Sequence, residues 1–332
     1  MAGVVVATVA VAVAAWLLDQ RRPGRVADFN RGTNAVWLAH TWVEDPRGDG
    51  EIAELAEQLR TAQMTDVFAH VGPLTAAGQI APERYPEAAA FARRLKAAHG
   101  GPLRVFAWVG QIEARAGGVL DLGSAETRHQ TVRTSAVFPD QLGFDGIHYD
   151  IEPIFDGDER FLALLDETRR QLPGRPISAA TGKWAPDGPI GAIGRQLAPG
   201  SALWSSSYYA EVARRVDQVV PMLYDTGTRP GELYERVVAI ELSGILDATR
   251  STGADVLAGV PTYDDRTAGH DPASENLHWA LPGVATAVAG AGAPSHFAGV
   301  SIYAHWQTSR DEWATYDRLW IGSERDQQPT SG

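Results

Sequence analysis

The chain has 332 residues and carries 41 acidic against 29 basic side chains, a formal net charge of −12. Hydrophobic residues make up 44% of it and charged residues 21%, a composition that predicts a globular protein with a large core and excludes collagen, coiled coil and disorder. The negative charge argues against nucleic acid as a partner, and the absence of cysteine excludes disulfides and thiolate sites.

The N-terminal segment, residues 1–25, is apolar and then basic. The stretch 2–18 carries no charge, and Arg21, Arg22 and Arg25 follow it. A helix of about 17 residues is only just long enough to cross a bilayer, and the alanine-rich runs also resemble a signal-peptide cleavage site. We therefore expect a signal peptide or membrane anchor, and a protein that is secreted or anchored in the cell envelope. A buried apolar helix or strand is the alternative.

From residue 34 onwards, short β-rich runs alternate with amphipathic helical stretches, and no linker divides the chain. The predicted strands are 35–39, 66–71, 104–109, 146–151, 177–181, 218–224, 256–261 and 298–304. The predicted helices are 51–63, 86–98, 124–141, 158–172, 205–214, 231–251, 276–290 and 310–319. Eight strand-then-helix units predict a single-domain α/β protein, a (β/α)8 TIM barrel over 34–322, with a disordered tail at 323–332. A doubly wound open sheet is the alternative, disfavoured because no glycine-rich phosphate loop follows the first strand.

The fourth predicted strand concentrates the chemistry of the sequence. It lies in GFDGIHYDIEP at 143–153, and its period-two alternation points His148, Asp150 and Glu152 into the barrel. The carboxyl ends of barrel strands form the active-site mouth. Two carboxylates on one buried face are costly to desolvate, and at least one pKa should rise, which is how a general acid is made. An ion-pair network with basic side chains of neighbouring strands is the alternative.

The sequence resembles glycoside hydrolase family 18, the chitinases and related N-acetylglucosaminidases. Asp145, Asp150 and Glu152 in DGIHYDIE match the Asp-x-x-Asp-x-Asp-x-Glu signature of that family's fourth strand. VVPMLYD at 219–225 is similar to its sixth-strand Met-x-Tyr-Asp, and LAGVPTYD at 257–264 is similar to its seventh-strand Gly-x-Pro-x-Tyr. The motifs occur in the family's order.

The likeness extends over the predicted barrel, with three departures. The run FAHVGPLTAAGQI at 68–80 has the rhythm of the family's second strand and following loop. His148 replaces the middle Asp of the signature, and residues 108–111 replace a third-strand Ser-x-Gly-Gly pattern. Tyr303 replaces the eighth-strand Trp, with Trp306 three residues later.

The resemblance implies a hydrolase that cleaves β-linked N-acetylglucosamine glycans, of the chitin or peptidoglycan type, by a retaining mechanism assisted by the substrate's N-acetyl group. Glu152 is then the general acid and base, Asp150 stabilises the oxazolinium intermediate, and Tyr224 orients the N-acetyl carbonyl oxygen. Asp225 holds the same sugar. Asp145 is included among the substrate-binding residues, with a turn or supporting role as its alternative.

His148 is the least family-like residue of the fourth strand, and it too is included among the substrate-binding residues. We expect its imidazole to donate a hydrogen bond to Asp150. When protonated it should hold Asp150 as an anion, because an opposite charge lowers a carboxyl pKa. A packed polar residue without coupling to catalysis is the alternative.

Aromatic side chains at strand ends fit a sugar site, because pyranose rings present flat C–H faces that stack on aromatic rings. The candidates lie at or just beyond predicted strands, and the seventh-strand motif adds a tyrosine to them: Trp42, Trp108, Trp184, Tyr263, Tyr303 and Trp306. As a set they favour a polysaccharide or oligosaccharide substrate. Packing in the core or at the rim explains any single one equally well.

Two other classes of protein are weighed against this hypothesis. A set of histidines stands at strand ends, as in barrel hydrolases that bind a divalent metal: His40, His70, His148 and His305. No His-x-His pair opens the first strand and no Lys ends the fourth, so we predict neither a metal nor a cofactor. The other class is a catalytically silent sugar-binding barrel, against which the presence of Glu152 argues.

Overall fold

The computed structural model describes residues 24–188, 191 and 202–323. Eight parallel strands form a closed barrel in which each strand pairs with its neighbours in chain order. They are β1 (Asn34–Leu38), β2 (Met64–Pro73), β3 (Arg104–Ile112), β4 (Gly146–Glu152), β5 (Ile177–Thr181), β6 (Gln218–Pro221), β7 (Asp255–Pro261) and β8 (Phe297–Tyr303). The predicted (β/α)8 barrel is confirmed, and the open-sheet alternative is wrong because β1 pairs with β8.

A helix follows each barrel strand and covers the outside of the sheet. The helices are α1 (Asp49–Thr61), α2 (Ala88–His99), α3 (Ala125–Gln141), α4 (Glu159–Gln171), α5 (Ser206–Ala213), α6 (Gly231–Thr249), α7 (Leu277–Gly290) and α8 (Arg310–Tyr316). Several begin at a side chain that accepts a hydrogen bond from a first-turn N–H, as Ser124, Asp158 and Ser309 do. Polar caps in the sequence therefore fix where these helices start.

The sixth strand ends earlier than the predicted 218–224. Its ladder stops at Pro221, and Met222 makes a single further bridge to Gly259. Asp225 has a φ of 56°, in the left-handed region, which turns the chain out of the sheet. The family-like Tyr224 and Asp225 therefore lie on a loop at the barrel mouth instead of in the strand.

The alternation of side chains divides the apolar residues into an outer and an inner core. On β4, Ile147 and Tyr149 face the helices, and the Tyr149 hydroxyl lies 2.9 Å from the Thr168 hydroxyl of α4. Inside the barrel, Trp37 packs on Phe68, with ring centroids 5.2 Å apart. Large side chains fill the barrel, so a substrate can reach it only at an end.

The amino end of the barrel is closed by a buried polar cluster. Arg104 on β3 donates two hydrogen bonds of 2.7 Å to Asp66 on β2. Asp66 also accepts a hydrogen bond of 2.5 Å from Gln218 on β6, and its side chain is fully buried. Three strands are thus joined at this end, and the carboxyl ends of the strands form the other.

The predicted leader, residues 1–25, and the predicted tail, 323–332, lie almost wholly outside the described residues and stay predictions. The two ends of the described chain meet, because Arg25 donates a 3.0 Å hydrogen bond to the carbonyl oxygen of Gly322. Within the described ranges, no helix has both the length and the apolar character that a membrane crossing requires.

We predict that Asp66→Ala lowers the free energy of unfolding by about 2 kcal/mol, because it removes the partner of the partly exposed Arg104 guanidinium and leaves the buried Gln218 amide without an acceptor. Urea unfolding measures the change. The control is Asp49→Ala, whose carboxylate also pairs with an arginine, at 2.6 Å, but is fully exposed to solvent. It should leave stability almost unchanged. Equal losses in the two variants would contradict a stabilising role for the polar cluster around Asp66.

Candidate active site

Asp150 and Glu152 lie side by side at the carboxyl end of β4. The strand alternation points both into the barrel, as the sequence predicted, while Ile151 between them packs in the outer core. The neighbouring strand β3 pairs Gly110 with Asp150 and Ile112 with Glu152. The two carboxyls thus stand at the inner edge of the barrel mouth.

Burial raises the pKa of both carboxyls. Desolvation is the largest cause, and it brings the pKa of Asp150 to about 6. The pKa of Glu152 is raised well above its usual value by burial, by the negative charge of Asp150 and by a hydrogen bond between the two groups. The two carboxyls therefore titrate as a coupled pair, and the raised pKa of Glu152 favours its protonated form.

Lys183 supplies a positive charge next to this pair. It lies just beyond β5, and its ammonium donates hydrogen bonds to the carbonyl oxygens of Met222, at 3.4 Å, and Tyr224. Its charge lowers the pKa of Glu152 and so opposes the effect of burial. Lys183 was not among the residues predicted from the sequence. A lysine two residues after the end of a predicted strand was the available signal.

Three tyrosines line the mouth beside the carboxyl pair. Tyr224 and Tyr303 stack with ring centroids 5.3 Å apart, and Tyr263 packs edge-on against both. Burial, followed by the nearby carboxylate charges, raises the pKa of Tyr303 to about 12, and the pKa of Tyr224 is raised as well. Tyr263 donates a 2.7 Å hydrogen bond to Asp225. The hydroxyls therefore remain protonated donors at neutral pH.

A buried network supports the loop that carries Tyr224 and Asp225. Fully buried Glu275 accepts hydrogen bonds from the main-chain N–H of Thr226, at 3.1 Å, and from its hydroxyl, at 2.9 Å. His270 lies 3.3 Å from Glu275; burial lowers its pKa, but the bond and the charge of Glu275 raise it above the usual value. The His270 ring also stacks on Tyr263. This network thus holds Tyr263 in place.

Trp108, Tyr303 and Trp306 form an aromatic wall at the mouth. The rings of Trp108 and Trp306 are nearly parallel, with an interplanar angle of 20° and centroids 6.4 Å apart. Tyr303 packs edge-on against Trp306 at 5.7 Å. Trp306 is 44% exposed, whereas Trp108 is 8% exposed. The wall therefore presents an apolar ring to solvent beside the carboxyl pair.

Trp42 and Trp184 do not join this wall, and their role in sugar contact stays a prediction. Trp42 packs on Phe91 of α2, with centroids 5.9 Å apart. Trp184 donates a 3.1 Å hydrogen bond to the Ser206 hydroxyl, and its ring leaves no room for a side chain at Gly244 of α6. The segments after β1 and β5 direct these rings towards the helices, a direction that strand periodicity does not specify.

Asp145 lies at the amino end of β4, at the opposite end of the strand from Glu152, and the structure does not bring it together with the other predicted site residues. It accepts a 2.7 Å hydrogen bond from the main-chain N–H of Val105 on β3. Lys96 of α2 lies 3.2 Å from the same carboxylate. Asp145 joins two strands and a helix, which is the supporting role that was its alternative.

His148 binds partners other than Asp150, and the expectation that it holds Asp150 as an anion is wrong. Its Nε2 accepts a 3.3 Å hydrogen bond from the Trp37 indole, and its Nδ1 lies 2.8 Å from the Ser178 hydroxyl. Phe68 stacks on the ring at 3.9 Å. Complete burial lowers its pKa to about 3. His148 is a neutral packing residue in the barrel interior, out of reach of a substrate.

The other strand-end histidines bind neighbouring side chains. His40 lies 2.8 Å from Glu44, and His305 lies 2.9 Å from the Gln58 side chain. Burial lowers the pKa of His70 to about 4. Across the described parts of the chain, no three His, Asp or Glu side chains are grouped as a metal site requires.

The barrel resembles the solved structures of several chitinases and of a spore cortex-lytic enzyme. The structure of a Bacteroides thetaiotaomicron chitinase matches with a TM-score of 0.58 and 13% identity, over 90% of this chain and 99% of that one. The C-terminal domain of a putative Desulfitobacterium hafniense chitinase gives 0.57 and 15%, over 86% and 97%. The Bacillus cereus spore cortex-lytic enzyme SleL gives 0.56 and 13%, over 87% and 74%.

The structural likeness confirms a chitinase-like barrel at the level of the fold. No protein-family model matches the sequence, and no curated protein has significant sequence similarity to it.

We predict that Glu152→Gln is more stable than the wild type at about pH 8 but not at about pH 4. The pKa of Glu152 is higher in the folded protein than in the unfolded chain, so folding takes up a proton between the two values. The free energy of unfolding therefore falls as the pH rises through that window, and the neutral amide avoids this loss. Urea unfolding at both pH values measures the difference.

The control for this experiment is Glu54→Gln on the exposed side of α1, which should show no such pH dependence. Lower stability of Glu152→Gln at the higher pH would contradict the raised pKa.

Proposed function

We propose that the protein is a retaining glycoside hydrolase that cleaves β-linked N-acetylglucosamine glycans, of the chitin or peptidoglycan type, with the substrate's N-acetyl oxygen as nucleophile. The observation that carries the proposal is the pair Asp150 and Glu152, which stand half-buried on one face of β4 at the barrel mouth, where desolvation raises the pKa of both. One proton donor beside one anion is what this chemistry requires. The family resemblance and the fold shared with chitinases support the same class of substrate.

In the first step, Glu152 donates its proton to the glycosidic oxygen as the bond from that oxygen to the anomeric carbon breaks. The N-acetyl oxygen attacks the anomeric carbon and forms a positively charged oxazolinium ring. The Asp150 anion stabilises this charge. Its Oδ1 is buried and has no hydrogen-bond partner among the described residues, so it is available to accept the acetamido N–H.

In the second step, the Glu152 carboxylate takes a proton from water, which attacks the anomeric carbon and opens the oxazolinium ring. Two inversions give net retention. The Tyr224 hydroxyl orients the N-acetyl oxygen, and Asp225, which Tyr263 holds at 2.7 Å, binds a hydroxyl of the same sugar. Each role uses a side chain at the mouth.

The aromatic wall of Trp108, Tyr303 and Trp306 fits a glycan partner, because sugar C–H faces stack on exposed rings. Chitin and peptidoglycan lie outside the cytoplasm. The proposed substrate therefore agrees with the secreted or envelope-anchored location predicted from residues 1–25.

We predict that Glu152→Gln reduces hydrolysis by at least about 100-fold, because the amide keeps the shape of the side chain but has no acidic proton to give. The assay incubates aryl N-acetylchitooligosides, chitin oligosaccharides and peptidoglycan with both proteins and follows the anomeric configuration of the products by NMR. The control is Glu54→Gln, which should keep wild-type activity. More than a tenth of that activity in Glu152→Gln would mean that another residue is the acid.

The same panel separates a hydrolase from a catalytically silent sugar-binding barrel. Calorimetry of the wild type with each glycan measures binding independently of turnover. Tight binding without products would support the silent barrel and contradict the hydrolase.

We predict that a thiazoline analogue of N-acetylglucosamine inhibits the enzyme far better than the free sugar, because it mimics the oxazolinium intermediate. The competing mechanism uses an enzyme carboxylate as nucleophile, and Asp225 is the candidate, since its charge also acts on Glu152. Inhibition constants for the thiazoline and for N-acetylglucosamine distinguish the two mechanisms. Equal weak inhibition, or cleavage of substrates without the acetamido group, would favour the carboxylate.

A further inference from the structure

Trp108 contacts Asp150 from the neighbouring strand. Gly110 on β3 is the register partner of Asp150 on β4, and Trp108 lies two residues before Gly110 on the same face. Its indole N–H donates a 2.9 Å hydrogen bond to Oδ2 of Asp150. A hydrogen bond to an ionised acceptor is stronger than one between neutral groups. The contact therefore favours one orientation of the carboxylate.

The approach of the indole depends on the absence of a side chain at Gly110. A Cβ at this position would lie 3.3 Å from Nε1 of Trp108 and 3.2 Å from the carbonyl oxygen of Asp150. Both distances are shorter than ordinary van der Waals contact. Glycine therefore allows the ring to lie close against β4.

Few other groups orient Asp150. The indole N–H is the one hydrogen-bond donor that the described residues place within reach of this carboxyl. Its Oδ1 has no partner among them. His148, the preceding inward residue of β4, is bonded to Trp37 and Ser178 instead. Loss of the indole N–H would leave the carboxyl free to rotate.

We infer that Trp108 is a positioning residue, whose indole N–H fixes the Asp150 carboxylate with Oδ1 turned to the substrate while its ring forms part of the sugar-binding wall. The inference rests on the proposed hydrolase function. Trp108 thus acts on catalysis through Asp150, and it acts on substrate binding through its stacking with Trp306.

The ionisable groups that face the carboxyl pair come from four elements. Glu152 is on the same strand, Lys183 follows β5 and acts on Glu152, Tyr224 and Asp225 follow β6, and Tyr303 is on β8. A substitution that removes only the indole N–H leaves all of these groups in the chain. A change in the titration of Asp150 is then assigned to the lost donor.

The test is Trp108→Phe, which keeps an aromatic ring and removes the N–H. We expect kcat on the glycan panel to fall about tenfold to a hundredfold, with a smaller change in KM. The acid limb of the pH–rate profile should move up by about one unit, because the Asp150 anion loses a donor that favours its charged form. The matched control, Trp306→Phe, alters the other ring of the wall and should raise KM without moving that limb.

A measurement without substrate separates this inference from the proposed function. Carbon-13 NMR titration of the Asp150 carboxyl in the full chain, assigned with Asp150→Asn, should show a higher pKa in Trp108→Phe and no change in Trp306→Phe. A protein that hydrolyses no glycan but shows this shift keeps the Trp108 contact and loses the hydrolase function.

A second variant guards against misfolding. Gly110→Ala keeps Trp108 but places a Cβ 3.3 Å from its Nε1, so the ring must shift by a few tenths of an ångström, which should weaken the hydrogen bond and raise the same pKa by a smaller amount; thermal unfolding confirms that each variant is folded. If Trp108→Phe does not fold, Gly110→Ala decides alone. An Asp150 titration that is the same in the folded variants as in the wild type would overturn the inference.

Discussion

The desolvation of two carboxyls at the end of one strand is the constraint on which the rest of the site depends. Asp150 and Glu152 are two residues apart, so strand geometry places them on one face, and the closed barrel leaves both only partly exposed to water. Burial alone would neutralise both. The positive charge of Lys183 opposes this effect on Glu152, and the indole N–H of Trp108 favours the anionic form of Asp150. Lys183 and the Trp108 indole therefore favour a state in which the carboxyl pair holds one proton and one negative charge.

The imidazole of His148 limits the number of charges in the barrel interior. A carboxylate at this position would bring a third negative charge to the same face of β4. Burial instead keeps His148 neutral, with one ring nitrogen bonded to Trp37 and the other to Ser178. The inward face of β4 therefore carries two ionisable carboxyls rather than three. The histidine therefore removes one negative charge from this face and leaves Asp150 and Glu152 in place.

The rest of the mouth is assembled from strands that are distant in sequence. Tyr224 follows β6, Tyr263 follows β7 and Tyr303 ends β8, and their rings pack on one another. The buried Glu275 holds the loop after β6, and Tyr263 holds Asp225 on that loop. A parallel barrel brings all these strand ends to one face, which is why residues far apart in the chain meet at one site.

The sequence by itself determined the barrel, its eight units and the inward face of Asp150 and Glu152, because the periodicity of strands and helices is a local property. The tertiary structure decided which aromatic rings line the mouth, which end of β4 holds Asp145, and that Lys183 and the indole N–H of Trp108 act on the carboxyls. These features depend on the register between strands and on the directions of the loops. Both are set by contacts between distant parts of the chain, which the spacing of residues along one strand does not encode.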